Sequence, residues 1–298
     1  MSAFPYATAE AFAAALADRF RAAHDGGRYS VNELRRQFAY DRLLARVFQD
    51  ADVAVSWILK GGGGLLARIP EHARHSMDLD LFFEGEFADA IESLQDVGHH
   101  DLGDFFDFDI TEMRGIGTHG VRRLRVESFI GNKAFEHFRI DLVIASNMTQ
   151  PPDLVGPLVP IQVPGLATSV YRVYSLVDHV ADKHAAMIAK YNDGAASTRY
   201  RDLLDLVIIA NTQPLDAAAL RRALLSEYSA RDLSAPATVE LPNEGWVDGY
   251  ANEVASLPAV PQRTAMQALD TVRSLLETVL NDDALTGTWD PYLRRWTT

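Results

Sequence analysis

The chain has 298 residues, 48% hydrophobic and 23% charged, the balance of a globular protein with room for one large domain or two ordinary ones. It contains no cysteine, which excludes disulfides and thiolate metal sites, and no apolar run near the ~20 residues that cross a bilayer. A net charge of −13 argues against non-specific nucleic-acid binding by the whole surface, and the N-terminus reads as an amphipathic helix rather than a signal peptide, so a cytoplasmic protein with no membrane association is expected.

Residues 7–24 carry Phe12, Leu16 and Phe20 at helical spacing and end at His24-Asp25-Gly26-Gly27. Ser30-Val31-Asn32-Glu33 has the form of a capping box, predicting a helix to about Gln49. Val53 to Leu59 reads as a buried strand, Lys60 to Gly64 as a turn, and Leu65 to Arg68 as a short helix that Pro70 ends. Asp78 to Glu84 reads as a second strand and Phe87 to Val97 as a helix.

Phe105–Met113, Val121–Ile130 and Phe135–Ala145 have strand composition, with turns at Gly115/Gly117 and Gly131-Asn132. Residues 146–165 hold Pro151, Pro152, Pro157, Pro160 and Pro164, a loop or an extended segment with a short strand near Ile161. From Ser175 onward the reading is helical: Ser175–Lys190, a break at Asn192-Asp193-Gly194, then Arg199–Asn211, Pro214–Ser229, Trp246–Ser256 and Pro261–Asn281. The expected fold class is α+β, with a mixed sheet and helices in residues 1–165 and a helical domain in residues 166–298.

On a strand, Asp78 and Asp80 point to one face, while Leu79 and Leu81 face a core. Two converging carboxylates repel unless protonated or bridged by a cation, and hard oxygen donors suit Mg²⁺; a solvated strand face is the plain alternative. Asp141, in Phe138-Arg139-Ile140-Asp141-Leu142-Val143, would add a third carboxylate if its strand lies beside that of Asp80. Otherwise it is a strand aspartate paired to a nearby arginine.

Lys60-Gly61-Gly62-Gly63-Gly64 follows a strand and precedes a helix, so its backbone N–H groups can face an anion. It is neither a Walker A loop nor a dinucleotide fingerprint, and a flexible turn is the competing reading. Ser76 can donate a hydroxyl to a phosphate; a phosphate group placed on it would add ~1.5–2 negative charges beside the aspartates. Lys183 lies on a helix that Val180, Ala181 and Met187 can pack, and it could reach a triphosphate. Arg199, Asp202 and Asp205 share a helix face at spacings of three, which equally suits a surface salt-bridge network. Arg114, Arg122, Arg123, Arg125, Lys133 and Arg139 crowd one sheet region and are candidates for RNA phosphates.

The order Lys60-Gly61-Gly62, then Arg74-x-Ser76-x-Asp78-Leu79-Asp80, then Lys183-His184-Ala185, then Arg201-Asp202-Leu203-Leu204-Asp205-Leu206 resembles the AbiEii/AbiGii-type nucleotidyltransferase toxins, including the mycobacterial tRNA-modifying toxins. These belong to the DNA polymerase β-like nucleotidyltransferase superfamily, and the resemblance covers roughly residues 55–210. It implies a polymerase-β-like α+β domain followed by an α-helical domain. It also implies a magnesium-dependent nucleotidyltransferase that uses a nucleoside triphosphate, CTP or another pyrimidine being favoured.

The resemblance further implies a toxin of a type IV-like toxin–antitoxin system that modifies the 3′ acceptor end of tRNA, blocks translation and has a cognate antitoxin. Carried onto this chain, it implies Asp78, Asp80, Lys183 and Asp205 as catalytic residues. Lys60, Gly61, Gly62, Ser76, Arg199 and Asp202 would lie around the nucleotide, and Asp78 and Asp80, with Asp141, around the metal. Gly63 and Gly64 depart from the pattern, since a small hydroxyl residue is expected after the glycine pair. Two other readings remain: a nucleotidyltransferase acting on a small molecule or a protein hydroxyl, and a non-catalytic module that binds NTP or a partner.

Overall fold

A computed structural model describes residues 4–113, 120–145, 147–158, 160–191 and 194–297. Arg114, Gly115, Gly117, Asn192 and Asp193 fall outside the described residues. The chain divides into two compact units. The first comprises Met1–Glu71, His75–Ser146 and Pro152–Val173; the second comprises His72–Arg74, Asn147–Pro151 and Tyr174–Thr298.

The first unit opens with α1 (Ala9–Asp25) and α2 (Val31–Val47). Thr8 caps α1, and Ser30 with Glu33 forms the reciprocal capping box on α2. Next come α3 (Ala51–Ala54), β1 (Trp57–Lys60), α4 (Gly61–Arg68), β2 (Leu79–Phe83) and α5 (Phe87–Gly98). Then follow β3 (Phe106–Glu112), β4 (Val121–Ile130), β5 (Lys133–Val143), β6 (Asp153–Val155) and β7 (Tyr171–Val173).

These strands form one seven-stranded sheet in the order β3-β4-β5-β2-β1-β7-β6. The β2–β5 and β1–β7 pairs are parallel and the others antiparallel, so the sheet is mixed and the unit α+β. Even-numbered β4 and β5 residues such as Leu124, Val126, Phe138, Ile140 and Leu142 are buried. Phe12, Phe20, Phe38 and Phe106 continue that core through edge-on and tilted ring contacts.

Three sequence expectations are corrected here. Val53 to Leu59 is not one strand: Asp50 caps the single turn of α3, leaving Trp57–Lys60 for the strand. No strand runs near Ile161 among the described residues; the extra strands are β6 and β7 instead. The glycines are not a turn ahead of the helix but its first turn. A Cβ on Gly63 would sit 3.2 Å from Leu79 Cδ1, and one on Gly64 3.3 Å from the carbonyl oxygen of Leu59. Close packing of helix on sheet, which glycine permits, outweighs the ~1 kcal/mol per residue that glycine costs in a helix.

The second unit holds α6 (Leu176–Ile188), a two-strand ribbon of β8 (Lys190–Tyr191) and β9 (Ala195–Ala196), α7 (Tyr200–Thr212) and α8 (Ala217–Ala230). It continues with α9 (Gly245–Ala255), α10 (Ala265–Asn281) and a hairpin of β10 (Thr288–Asp290) and β11 (Arg295–Thr297). From Asp202 to Ala210 every residue of α7 is buried, as a helix surrounded by α6, α9 and α10 must be. Trp246 Nε1 donates to the carbonyl of Ser197 and Trp289 Nε1 to that of Ala210, so each indole satisfies its one donor while filling the core.

Candidate active site

The strand register places four charged side chains of the first unit in one row. Lys60 on β1 is opposite Asp80 on β2, Asp80 opposite Asp141 on β5, and Asp141 opposite Arg123 on β4. Paired positions share a face, so Asp80 and Asp141 lie side by side. Asp141 accepts a forked pair of bonds from Arg123, at 2.8 Å from Nε and 3.1 Å from Nη2. Asp78, in the bend just before β2, accepts from Arg139 Nε at 2.9 Å.

The first turn of α4 meets this row at Asp80. Gly61 has φ +57°, and a Cβ there would fall 1.8 Å from Asp80 Oδ2 and 2.5 Å from Cγ. The carboxylate therefore fills space that only glycine leaves open. The early N–H groups of α4 have no intrahelical acceptor, and Lys60, its N-cap, makes no side-chain cap. The helix start thus offers donors and positive potential to an anion, beside a carboxylate that holds a cation.

Ser76 is 5% exposed, and its hydroxyl donates to the carbonyl of Asp78 at 2.8 Å. Its own carbonyl accepts from the Tyr40 hydroxyl at 3.3 Å. Burial, together with nearby Asp78 and Asp80, pushes the Tyr40 phenol well above its ordinary range, which keeps that donor protonated. In this conformation Ser76 shapes the approach to Asp78 and is not exposed for phosphorylation.

Asp78, Asp80 and Asp141 supply hard, charged oxygen donors of the kind that suits Mg²⁺. The Arg139 and Arg123 pairs that now satisfy two of them are part-exposed, and such pairs are worth about 0–1 kcal/mol, within reach of displacement by a divalent ion. The donor set therefore fits the metal. Among the described residues, the trio whose ligand atoms already lie within 4.8 Å of one another is a different one, His99, Asp107 and Asp109 on and beside β3. Its i, i+2 aspartates were readable in the sequence; the approach of His99 from the end of α5 was not.

The second unit holds the other residues singled out in the sequence, in one buried ionic cluster. Lys183 on α6 donates to Asp205 at 2.6 Å and Asp202 at 3.0 Å on α7, and its side chain is 4% exposed. Arg74 forks onto Asp205 at 3.0 and 3.1 Å, and Arg199 pairs with Asp202 at 2.5 Å. Burial alone would raise both aspartates, but Lys183, Arg74 and Arg199 outweigh it and hold them below the ordinary carboxylate range. Burial would likewise lower Lys183, and Asp205 and Asp202 reverse that. The network is internal rather than a surface one, and Arg74, with no role assigned from the sequence, is a member of it.

A mixed sheet bearing this aspartate row beside a glycine-led helix, with a separate helical unit, defines the chain as a nucleotidyltransferase. The model of the AbiEii nucleotidyl transferase toxin family, of type IV toxin–antitoxin systems, matches residues 42–295, and the chain belongs to that family. No curated protein matches. Among solved structures, MenT4, a nucleotidyltransferase toxin from Mycobacterium tuberculosis H37Rv, aligns at 18% identity over 90% of this chain and 97% of its own, with a TM-score of 0.51. At that identity the likeness is one of fold. The antibiotic-resistance factor ANT(2'')-Ia aligns at 18% identity over 50% of this chain and 70% of its own; its TM-score of 0.26 carries no weight.

Members of this family use a nucleoside triphosphate and a divalent metal and are paired with an antitoxin. No helix among the described residues is long and apolar enough to cross a membrane.

Proposed function

We propose that this toxin transfers a nucleoside monophosphate from an NTP, a pyrimidine triphosphate such as CTP being favoured, to the 3′ hydroxyl at the acceptor end of tRNA, with Mg²⁺ as its metal. The observation that carries the chemistry is the contact of Gly61 with the Asp80 carboxylate at the start of α4. It sets an anion-binding helix end against a metal-binding carboxylate, the two features a magnesium–triphosphate complex needs. Tyrosine, serine and arginine neighbours then hold Asp78 and Asp141 on either side.

Asp78, Asp80 and Asp141 are the residues that would hold Mg²⁺, which supplies charge neutralisation at the phosphates when bound. The N–H groups of Gly61 and Gly62, with Lys60, receive the β- and γ-phosphates. The acceptor oxygen forms a bond to the α-phosphorus, the bond from that phosphorus to its bridging oxygen breaks, and pyrophosphate leaves. Asp141 takes the hydroxyl proton. Lys183 holds Asp202 and Asp205 ionised and in place, a positioning role that its burial favours over direct reach to a phosphate. Family membership supports tRNA as the acceptor, and blocked aminoacylation is the expected consequence.

Incubation with bulk tRNA, Mg²⁺ and each labelled NTP in turn tests the proposal. Label should enter tRNA with one pyrimidine triphosphate, and Asp80→Ala should abolish it while the protein stays folded. Label entering a small molecule or a protein instead would replace the acceptor. Absence of both transfer and pyrophosphate release with any NTP would overturn the catalytic reading.

A further inference from the structure

The first unit contains a second feature outside the aspartate row. Asn32, Arg35 and Arg36 on α2 and Arg125 and His137 on β4 and β5 line a cavity of about 560 Å³. That volume suits one nucleotide-sized group. Glu127 and Glu136 also line it, but each is already matched: Arg125 pairs with Glu127 at 2.6 Å and Arg36 with Glu136 at 3.7 Å. Arg35 is left as surplus positive charge, with no ion pair among the described residues. Its guanidinium lies 4.9 Å from the centre of the Phe135 ring and donates to the Phe135 carbonyl.

Two further observations point to an anionic ligand. Arg125 stands directly opposite Arg139 across β4 and β5. Like charges at opposed positions destabilise a sheet, so the pair has no structural reason to exist. Arg36 Nε is buried in the protein without a hydrogen-bond partner, an exception that an acceptor from outside would satisfy.

The cavity is also continuous with the site. Arg36 Nη1 contacts Met77 Sδ at 3.6 Å, one residue from Asp78. Arg139, opposite Arg125, is the partner of Asp78 itself.

We infer that this cavity binds the sugar–phosphate backbone of the single-stranded end of an RNA acceptor and thereby presents its terminal hydroxyl to the aspartates. The inference rests on the transfer reaction proposed above. Arg35, Arg36 and Arg125 are the phosphate donors, chosen as arginine because its fork matches two phosphate oxygens at once. Arg35 stacked on Phe135 adds a flat cationic surface of the kind on which unpaired bases rest. In a chain of net charge −13, such a patch restricts RNA to one place instead of coating the surface.

The test uses the full chain and the Arg35→Ala/Arg125→Ala double variant, with Arg21→Ala as a charge control on exposed α1. Binding of a short labelled single-stranded RNA is measured against salt, alongside steady-state transfer to tRNA. The double variant should raise the acceptor KM about tenfold or more and leave the NTP KM within about twofold. It should also lower the slope of log K on log salt by about 1.4, at ~0.7 per lost phosphate contact on a single strand. Its Tm should not fall, since an opposed arginine pair is removed; Arg21→Ala should move none of these.

Wild-type affinity and salt slope in the double variant would overturn the inference while leaving the transfer reaction standing. A parallel rise in both KM values would overturn it too, by giving the cavity to the NTP. Pocket-dependent RNA binding by a wild-type protein that transfers label to no RNA would support the cavity and remove the transfer reaction instead.

Discussion

Gly61→Ala is the sharpest probe of the contact on which the site depends. The added Cβ would stand 1.8 Å from Asp80 Oδ2, 2.5 Å from Cγ and 2.9 Å from Cβ, and no real Cβ tolerates such distances. It would also occupy φ +57°, a left-handed conformation that costs an L side chain roughly 1–2 kcal/mol. Relieving the contact requires Asp80 to leave its rotamer, at about 0.5–1.5 kcal/mol. Together these give a loss of roughly 2–3 kcal/mol in unfolding free energy. The more specific consequence is catalytic, because the carboxylate that moves is the one opposite Asp141.

Urea unfolding measures the first effect, and Mg²⁺-dependent label transfer at saturating NTP measures the second, where activity should fall at least about a hundredfold, in line with a group misplaced by ~1 Å. A double-mutant cycle with Asp80→Ala separates the causes. In the Asp80→Ala background the Oδ2 and Cγ clashes disappear and the backbone cost stays, so a coupling of about 0.5–1.5 kcal/mol is expected. A Gly61→Ala protein with wild-type stability and activity, or a cycle with no coupling, would refute the contact as the organising feature of the site.

Other substitutions test the surrounding charges. Lys183→Met removes one cation from two buried carboxylates and should cost about 3 kcal/mol by urea denaturation, with Arg74 and Arg199 limiting the loss. Because Asp202 and Asp205 are held below the ordinary carboxylate range, their contribution is complete above the unfolded value of about 3.9 and is lost as pH falls through the folded values. The urea midpoint should therefore drop below about pH 4, and Lys183→Met should move that drop to higher pH. Arg139→Ala frees Asp78 of its arginine and should lower the Mg²⁺ concentration needed for half-maximal transfer, by no more than about fivefold for a part-exposed pair; a higher requirement would mean that Arg139 assists binding.

Local chemistry made some of this structure readable and hid the rest. The Ser30 capping box, the β4 boundaries and the buried α7 follow from side-chain patterns within one element, and the sequence shows them directly. The row of Lys60, Asp80, Asp141 and Arg123 depends on which strands are neighbours. Alternation places each residue on a face, yet only the register brings the faces together. Asp141 was accordingly legible as either a third carboxylate or an arginine's partner, and the structure shows it beside Asp80 while bonded to Arg123.

Lys183 was misleading for a related reason. A lysine on an amphipathic helix looks available, but Asp202 and Asp205 lie about one turn apart on another helix and enclose it. Burial of an ionic network leaves no local mark, since exposed and enclosed charges share the same spacing. Arg42, Arg46, Asp41 and Asp104, all nearly inaccessible, form a second such network that nothing in the sequence announced.

Gly63 and Gly64, where a small hydroxyl residue was expected, bear on how α4 holds phosphate. Both positions face the sheet. A Cβ on Gly64 would meet Val173 Cγ1 at 3.1 Å and the Leu59 carbonyl oxygen at 3.3 Å, and one on Gly63 would lie between Leu79 and Leu59. A hydroxyl at Gly64 would thus be pressed into β1 and β7 and could not turn toward the helix end. The phosphate contacts of α4 are then backbone contacts, centred on Gly61 and Gly62, and the missing hydroxyl takes nothing from them. Gly64→Ser should gain about 0.5–1 kcal/mol of helix propensity and lose about 1–3 kcal/mol to overpacking, for a net loss. NTP binding should be unchanged or weaker in a titration of the folded variant. A serine that tightened NTP binding would show that this face of α4 does reach the phosphates, and would refute the purely backbone cradle.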